Sequence, residues 1–304
     1  MTGYKLATLQ TPDGPRAAIV VDDTAYDAAL VTGVDQYCSV QNILDDWDRS
    51  HEKLEIASGD PKGSGAPVAR VKLLAPIPRP SVIYCAGANY HDHAEEMAKV
   101  TGQPAGDPRA NGAQPWFFMK SPHSVVPTDA TVHVTSYGRA IDWEAELAII
   151  IGRKTRNVSV ENALRHVAGY TCGNDLSARD QGFRLSLPDG SPFRADWTRH
   201  KSFEGACPMG PWIVPASYVS DPMNLPIRLW VNDELKQDSR SDQMIFSAAE
   251  QISYLSDAIT LHPGDVIMTG TPAGVGASRR EFLKAGDVVR MEIGEIGGLR
   301  SIVA

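Results

Sequence analysis

The chain is poor in cysteine and lacks the paired spacing by which cysteines bind zinc or form redox centres. Its four cysteines are Cys38, Cys85, Cys172 and Cys207, and no two of them form a C-x-x-C pair. This pattern argues against a zinc knuckle or a dithiol centre. It predicts four reduced thiols, as is typical of a cytoplasmic protein.

Long apolar runs and a leader sequence are also missing. Apolar runs such as residues 147–151 are far shorter than the roughly 20 residues that a membrane-spanning helix needs. The N-terminus, MTGYKLATLQTPDG, lacks a basic flank followed by an apolar core, so no signal peptide is expected. We therefore predict a cytoplasmic location and no membrane partner.

Positive charge is scarce. Lysine and arginine total 29 against 37 aspartates and glutamates, which gives a net charge of −8. A nucleic-acid partner is not expected, because phosphates require a basic surface. The glycine patterns of phosphate loops and dinucleotide-binding helices are absent as well. A small anionic substrate remains compatible with this charge, since a few cations or a metal ion can reverse the field within a pocket.

The N-terminal part of the chain has a pattern of its own. Residues 4–10 and 16–22 are predicted strands, and the PDGP segment between them is typical of a hairpin turn. Residues 40–58 predict one helix by their apolar spacing. Glycine and proline are then enriched over residues 59–80, which is the composition of a linker.

We predict a small N-terminal α/β domain over residues 1–70 and a larger, β-rich α+β domain over residues 71–304. Helices of the larger domain are expected from Ser159 to about residue 167, and after Ser247, whose spacing to Glu250 forms a capping box. Its predicted strands are all short: 82–86, 115–119, 131–134, 142–151, 211–215, 226–231, 265–269 and 287–293.

The first candidate site is the acidic stretch Asp142-Trp-Glu144-Ala-Glu146, which runs directly into the apolar segment LAIII. In a strand, residues two apart face the same side, so the three carboxylates would share one face. Carboxylates crowded beside a core repel one another, and a hard divalent cation relieves this repulsion because it prefers oxygen ligands. The alternative is a solvated acidic face on an edge strand.

The second candidate is the segment GYTCGNDLSARD, residues 169–180. Asp175 is a candidate third metal ligand, and the planar guanidinium of Arg179 suits a carboxylate. The alternative is a turn in which Asn174 and Asp175 bond to local backbone groups.

The third candidate is the segment ANYHDHAEEM, residues 88–97. If this segment is helical, His93 and Glu96 lie one turn apart on the same face. Such a pair can orient and deprotonate a water molecule. The alternative is a polar helix that faces solvent.

The fourth candidate group comprises Lys120, Lys201 and the glycine-rich segment 269–276. The backbone N–H groups of such a turn, together with the hydroxyl of Thr271, suit a small anion. As isolated features, the lysines are more typical of a surface and the segment of a simple turn.

Together these segments resemble the fumarylacetoacetate hydrolase family. The matching stretches are GANYHDHAEE, FFMKSP, DWEAELAIIIG, GYTCGNDLSARD, KSFEGACPMGPW and MTGTPAGVG, which follow one another in the family's order over residues 80–276. The resemblance implies a mixed β-sandwich roll, a homodimer or higher oligomer, and one Mg²⁺ or Mn²⁺ ion per subunit.

The resemblance also implies roles, residue by residue. The family's metal ligands match Glu144, Glu146 and Asp175. Its water-activating pair, on a mobile segment that closes over substrate, matches His93 and Glu96. Its substrate-contacting positions match Lys201, Lys120, Arg179 and Thr271.

The chain departs from the family pattern in two places. Family members often carry glutamine three residues after the arginine that matches Arg179, whereas this chain has Gly182 there and Gln181 one residue earlier. We therefore take Gln181 as a candidate substrate contact. In addition, residues 102–115 form an insertion before Lys120 that is expected to shape specificity.

The implied activity is hydrolysis of a carbon–carbon bond in a small 1,3-dicarbonyl acid, such as an acylpyruvate or fumarylpyruvate, to a 2-oxo acid and a carboxylic acid. A role in aromatic or sugar acid catabolism is expected. His93 and Glu96 would activate water, and Lys201 would stabilise the oxyanion. Decarboxylation of an oxaloacetate-type acid, or isomerisation, is the alternative on the same site. A non-catalytic ligand-binding protein is the alternative of another class, but none of the implied residues is missing.

Overall fold

The computed structural model describes residues 3–102, 106, 108–133 and 137–304. The strands are β1 (Lys5–Thr11), β2 (Gly14–Val21), β3 (Thr24–Asp27), β4 (Ala66–Pro67), β5 (Leu73–Leu74), β6 (Ile83–Ala86), β7 (Phe117–Lys120), β8 (Val125–Val126), β9 (Ala130–Val132), β10 (Ile141–Asp142), β11 (Ala145–Ile151), β12 (Val167–Asn174), β13 (Ser177–Ala178), β14 (Cys207–Pro215), β15 (Pro226–Val231), β16 (Glu234–Arg240), β17 (Val266–Met268), β18 (Val288–Ile293) and β19 (Gly297–Val303).

The helices are α1 (Ala28–Thr32), α2 (Val40–Asp45), α3 (Trp47–Gly59), α4 (His91–Thr101), α5 (Val160–Ala163), α6 (Trp197–Lys201), α7 (Ala248–Ala258) and α8 (Gly276–Arg279). Most of these helices are short, and the strands form the framework. In the part of the chain that the structure describes, no helix is both long and apolar enough to cross a membrane.

The strands form one large mixed sheet, one smaller sheet and one strand pair. The large sheet has twelve strands, with the path β4-β3-β2-β1-β14-β12-β11-β17-β6-β7, and with β5 and β8 paired to β1 and β14. The smaller sheet has the order β16-β15-β18-β19-β9, and β10 pairs with β13. The β-rich α+β fold predicted from the sequence is confirmed.

The predicted N-terminal hairpin is present. Strands β1 and β2 pair antiparallel from Lys5 opposite Val20 to Thr11 opposite Gly14. The other edge of β1 meets β14 through Leu6 and Ile213, so the hairpin extends the large sheet. The domain division near residue 70 stays a prediction.

The single helix predicted over residues 40–58 is wrong in one respect, because the structure has two helices, α2 and α3, separated at Asp46. The backbone of Asp46 (φ −120°, ψ 35°) is not helical. Its carboxylate accepts a hydrogen bond of 3.0 Å from the hydroxyl of Tyr37. A tertiary contact therefore accompanies the break, and the apolar spacing continues across it.

The strand predicted over residues 142–151 is also interrupted, between β10 and β11. The backbone N–H of Glu144 donates to Asn174 Oδ1 at 3.0 Å, and that of Ala145 donates to Gln237 Oε1 at 2.9 Å. Side-chain acceptors thus take the place of a neighbouring strand at this point. Glu144 lies in the break, and the simple alternation of faces predicted for this stretch does not hold.

Other predicted elements were found with shifted ends. The helix expected from Ser159 ends at Ala163 and continues as a short 3-10 turn, and the Ser159 side chain makes no capping bond. The Ser247–Glu250 capping box is confirmed, with both reciprocal bonds present. Of the predicted strand 131–134, residue 134 lies outside the described residues, as do parts of the 102–115 insertion.

Strand β11 lies between two apolar cores. Leu147, Ile149 and Ile151 face one cluster of buried residues, whereas Ala148 and Ile150 face another that also includes residues of β1 and β2. Every residue of β11 is buried. Since each large side chain stabilises the fold by about 1.5–3 kcal/mol when it is buried, β11 anchors the polar residues at its start to the core.

Candidate metal centre and active site

Three buried carboxylates meet where β11 begins and β12 ends. Glu144, Glu146 and Asp175 each offer an oxygen atom, and these oxygens lie within 4.8 Å of one another. The antiparallel register sets Ala145 opposite Asn174, so Asp175 arrives beside Glu144. The backbone N–H of Asp175 donates to the carbonyl of Glu144 at 2.9 Å, which fixes the approach.

Two buried lysines contact this cluster. Lys201 Nζ donates to Glu144 Oε2 at 2.8 Å and to Asp175 Oδ2 at 2.7 Å. Lys120 Nζ donates to Asp175 Oδ1 at 2.6 Å and to the carbonyl of Leu176 at 3.2 Å. The structure therefore brings both predicted lysines to the carboxylates, although from the sequence alone a surface position was the more typical one.

The carboxylates of the cluster differ in electrostatic environment. Burial opposes ionisation of Glu144, but Lys201 and Arg179 outweigh burial and hold its pKa well below the ordinary value. Burial raises the pKa of Glu146 well above its usual range, and the neighbouring Asp175 and Glu144 raise it further. Glu146 accepts a bond from the Gly270 N–H at 2.8 Å, and it has less cationic compensation than Glu144.

The three side chains fit a divalent cation. All three are buried carboxylates, the hard oxygen donors that Mg²⁺ and Mn²⁺ prefer. A cation among them would also relieve the like-charge repulsion on Glu146. Glu144, Glu146 and Asp175 are therefore the described residues best placed to hold a metal ion.

Asp142 does not join the three carboxylates, contrary to the shared face expected from its spacing. Its Oδ2 accepts a bond of 2.9 Å from Arg179 Nε, and its carboxylate also accepts from the N–H groups of Gly276 and Ala277 at 2.6 and 2.9 Å. The reason is the interruption before β11, which turns Asp142 toward α8.

Arg179 links Asp142 to the cluster. Its Nη2 donates to Glu144 Oε1 at 2.5 Å, while its Nε is held by Asp142. The Nε and Nη2 groups of the guanidinium are thus each engaged by a carboxylate of the protein. The role of Arg179 in binding substrate stays a prediction, and any such contact would use its remaining N–H groups.

The predicted His–Glu pair lies on α4. His93 Nδ1 is 3.2 Å from Glu96 Oε2, and both side chains are mostly buried. The Glu96 carboxylate also accepts from the N–H of Gly274 and from the hydroxyl of Ser278. The same glycine-rich segment links the pair to the carboxylate cluster, because its Gly270 N–H donates to Glu146 and its Gly274 N–H donates to Glu96.

The glycine-rich segment after β17 connects α4 to the cluster. Thr271 Oγ1 donates to the carbonyl of Ala145 at 3.0 Å and accepts from Gln237 Nε2 at 2.9 Å. Gly274 has φ +102°, and a Cβ there would lie 2.1 Å from a backbone oxygen of Lys236. A larger residue does not fit at this position, so glycine is needed where the segment turns beneath Glu96.

Gln181 is set apart from the other predicted residues. Its Oε1 accepts a bond of 2.7 Å from Arg199 Nη2 on the protein surface. None of the hydrogen bonds recorded for the described residues connects it to the carboxylates. Its predicted contact with substrate stays untested.

Sequence reasoning missed several residues that shape the site. Ser177 Oγ donates to Glu144 Oε1 at 3.0 Å, and Gln237 bridges Ala145 and Thr271. Ser177 lies in the segment 169–180, which the sequence already marked as a candidate site. Gln237 lies on β16, outside every candidate segment. His200 was also missed, although it directly precedes Lys201.

Comparison with known proteins places the chain in a family. The model of the fumarylacetoacetate (FAA) hydrolase C-terminal domain matches residues 82–304. The mitochondrial oxaloacetate tautomerase fahd2 of Xenopus laevis is 36% identical over 98% of this chain and 90% of its own length.

Solved structures agree with this match. The fumarylacetoacetate hydrolase of Exiguobacterium antarcticum superposes with a TM-score of 0.79 at 31% identity, covering 99% of both chains. The maleylpyruvate hydrolase of Sphingobium sp. SYK-6, in complex with manganese(II) and pyruvate, superposes with a TM-score of 0.76 at 30% identity, covering 99% of this chain and 98% of the other. The chain therefore belongs to the fumarylacetoacetate hydrolase family, as the order of its motifs indicated.

Proposed function

We propose that this protein is a divalent-metal-dependent hydrolase that cleaves a carbon–carbon bond in an acylpyruvate-like acid. The observation that carries the proposal is the buried cluster of Glu144, Glu146 and Asp175, contacted by two lysines and approached by the His93–Glu96 pair. The products would be a 2-oxo acid and a carboxylic acid. The similar maleylpyruvate hydrolase, which holds manganese(II) and pyruvate, supports this choice.

The metal would be Mg²⁺ or Mn²⁺, one per subunit, held by Glu144, Glu146 and Asp175. When bound, such a cation supplies Lewis-acid stabilisation of enolate charge. We further propose a homodimer or higher homo-oligomer, which the family resemblance implies, and a cytoplasmic location. The similar tautomerase of Xenopus laevis is mitochondrial by its name.

His93 and Glu96 would take a proton from a water molecule, because they form a hydrogen-bonded pair near the cluster. The water oxygen then bonds to the carbonyl carbon farther from the acid group. Two of the three N–H groups of Lys201 are used by carboxylates, which leaves one to donate to the oxyanion formed by this attack.

The carbon–carbon bond breaks when this oxyanion collapses to the carboxylic acid. The bonding electron pair passes to the pyruvate part as an enolate, which is the leaving group. A proton returned to the enolate carbon gives the 2-oxo acid. The proton that the His93–Glu96 pair took from water is available for this step, so atoms and charge balance.

A second candidate is keto–enol tautomerisation of a small 2-oxo acid such as oxaloacetate. The names of curated relatives favour it: the Xenopus laevis protein and the 39% identical human relative are both oxaloacetate tautomerases. The same His93–Glu96 pair would then move a proton between carbon and oxygen, and no water would attack. Decarboxylation is a third reaction that the same enolate chemistry allows.

An assay on metal-stripped protein tests these reactions together. Mg²⁺ or Mn²⁺ would be added with a panel of acylpyruvates, and with oxaloacetate in its enol and keto forms. Loss of enol absorbance with equal amounts of pyruvate and carboxylic acid supports the hydrolase. Faster keto–enol exchange of oxaloacetate without pyruvate, while the acylpyruvates stay intact, supports the tautomerase. Release of CO₂ from oxaloacetate supports the decarboxylase.

A further inference from the structure

His200 is a buried histidine that the proposed chemistry does not use. Its side chain is 4% exposed, and neither ring nitrogen has a hydrogen-bond partner among the residues that the structure describes. Burial lowers its pKa to about 3, and Lys201 and Arg179 lower it further in the same sense. The ring is therefore neutral at physiological pH, with one N–H donor and one nitrogen acceptor. Buried polar atoms without partners are rare and call for an explanation.

The ring belongs to α6, where His200 directly precedes Lys201, whose Nζ contacts the carboxylate cluster. A Cβ at Gly182 would lie 2.9 Å from His200 Nδ1. The ring thus occupies the space that a side chain at position 182 would need, and glycine at position 182 allows this close packing.

Aromatic rings continue from this point toward the surface. The Trp197 ring is 5.4 Å from the His200 ring and stacks on Phe118 at 5.3 Å. Phe183 is 6.3 Å from Trp197 and is 46% exposed. At the inner end, Lys201 Nζ lies 5.1 Å from the centre of the Phe118 ring. An aromatic surface therefore runs from the lysine of the cluster outward past His200.

Three arginines of residues 184–199 already have partners among the described residues. Arg184 pairs with Asp196 at 2.5 Å, and Arg194 pairs with Asp189 at 2.9 Å. Arg199 donates to an amide oxygen and lies over the ring of Tyr137. A second carboxylate on a substrate would have to compete for these groups, whereas an apolar group would meet aromatic faces.

We propose that His200, Phe183 and Trp197 form a pocket for the acyl group of the substrate, which selects an uncharged alkyl or aryl group. The N–H of the His200 ring donates to the acyl carbonyl oxygen, next to the ammonium group of Lys201. This inference rests on the proposed function, since it assumes an acylpyruvate in the metal site. It also favours hydrolysis over tautomerisation of oxaloacetate, which has no acyl chain to occupy such a pocket.

The test compares acetylpyruvate, benzoylpyruvate and fumarylpyruvate with the Mn²⁺-loaded full-length enzyme. The proposal predicts that kcat/KM for benzoylpyruvate exceeds that for fumarylpyruvate by about 10-fold or more, as one mismatched polar group would cause. Phe183→Ala should reduce this preference, because it should lower kcat/KM for benzoylpyruvate more than kcat/KM for acetylpyruvate. Equal rates with the aryl and the carboxylated substrate would overturn the proposal.

His200→Leu should lower kcat/KM for both benzoylpyruvate and acetylpyruvate by about 10- to 100-fold, since it removes a donor to the carbonyl that they share. His200→Gln keeps an N–H donor and should recover part of that loss. The affinity for Mn²⁺ should stay unchanged in both variants. The matched control is His262→Leu, at an exposed histidine. Unchanged kinetics in His200→Leu, or equal losses in the two His200 variants, would contradict the role of the ring.

Binding separates a failure of this inference from a failure of the proposed function. Dissociation constants for the same three acids can be measured by calorimetry with Mn²⁺ present, whether or not turnover occurs. Selective binding of benzoylpyruvate without cleavage would refute the hydrolase but support the pocket. Cleavage without selectivity would refute the pocket alone, and absence of both binding and cleavage would refute both.

Discussion

Lys201 Nζ lies 2.7 Å from Asp175 Oδ2, and both side chains are buried. The same nitrogen is 2.8 Å from Glu144 Oε2. Because water cannot solvate these charges, Lys201 compensates two of the three candidate metal ligands, together with Lys120 at Asp175 and Arg179 at Glu144. The stability of the metal-free protein and its affinity for metal are therefore coupled through Lys201.

Lys201→Met should destabilise the metal-free protein by roughly 3–5 kcal/mol, because it removes a buried cation that two buried carboxylates share. Added Mn²⁺ should then raise the melting temperature of the variant more than that of the wild type, since metal replaces the missing charge. Thermal unfolding with and without Mn²⁺ measures both effects. Lys62→Met, at an exposed lysine, is the control, and equal metal-dependent shifts in all three proteins would count against the coupling.

Glu144→Gln should abolish metal binding and turnover together, because it removes one of three carboxylates that share a site. Calorimetric titration with Mn²⁺ measures the first, and the acylpyruvate assay measures the second. Glu52→Gln, at an exposed position of α3, should change neither. Turnover that survives in a metal-free Glu144 variant would remove the metal from the reaction.

Glu96→Gln should leave Mn²⁺ affinity intact and lower kcat by roughly 10²–10⁴-fold, which is the usual contribution of a general base. The neighbouring Glu95 is exposed, so Glu95→Gln is a matched control on the same helix. A near-normal kcat in the Glu96 variant would assign the proton transfer to another group.

The environment of Glu96 determines how its contribution to folding stability depends on pH. Burial raises the pKa of Glu96, but hydrogen bonds from His93, Ser278 and Gly274 outweigh burial and hold it below the ordinary value. The carboxylate is therefore ionised throughout the neutral range. Its stabilising contribution is present above the pKa of an unfolded glutamate and is lost as the pH falls through the lowered value. Glu96→Gln should remove that acid-range loss of stability, as measured by thermal unfolding from pH 3 to 7, an interval of about four units around the ordinary carboxyl pKa.

The four thiols should differ sharply in reactivity. Burial raises the pKa values of Cys172 and Cys207 to about 12 and also raises that of Cys85, whereas Cys38 is partly exposed. Since the thiolate is the reactive form, only Cys38 should react with a thiol reagent in the native protein at neutral pH. All four should react in denaturant. Rapid reaction of a second thiol in the native state would show that a core strand opens easily.

Much of the local structure followed from the sequence because its signals are local. The β1–β2 hairpin needed only two apolar runs and a turn between them. The Ser247–Glu250 capping box and the one-turn spacing of His93 and Glu96 depend on the geometry of a single helix. Two breaks were missed. At Asp46 the hydroxyl of Tyr37 bonds to the Asp46 carboxylate, and before β11 two side-chain oxygens accept from the backbone. Periodicity does not reveal such contacts.

The sequence by itself determined the family, the acidic stretch and the type of ligand that its carboxylates suit. Only the tertiary structure decided which charges compensate one another, such as Lys201 with Asp175 and Arg179 with Asp142. It also decided that the His200 ring has no hydrogen-bond partner among the described residues. The Gln237 acceptor of Ala145 stands 92 residues away along the chain. The physical reason is that residue type and local spacing determine what a group can bind. The order and register of the strands determine which groups meet in the buried interior, where water cannot solvate them.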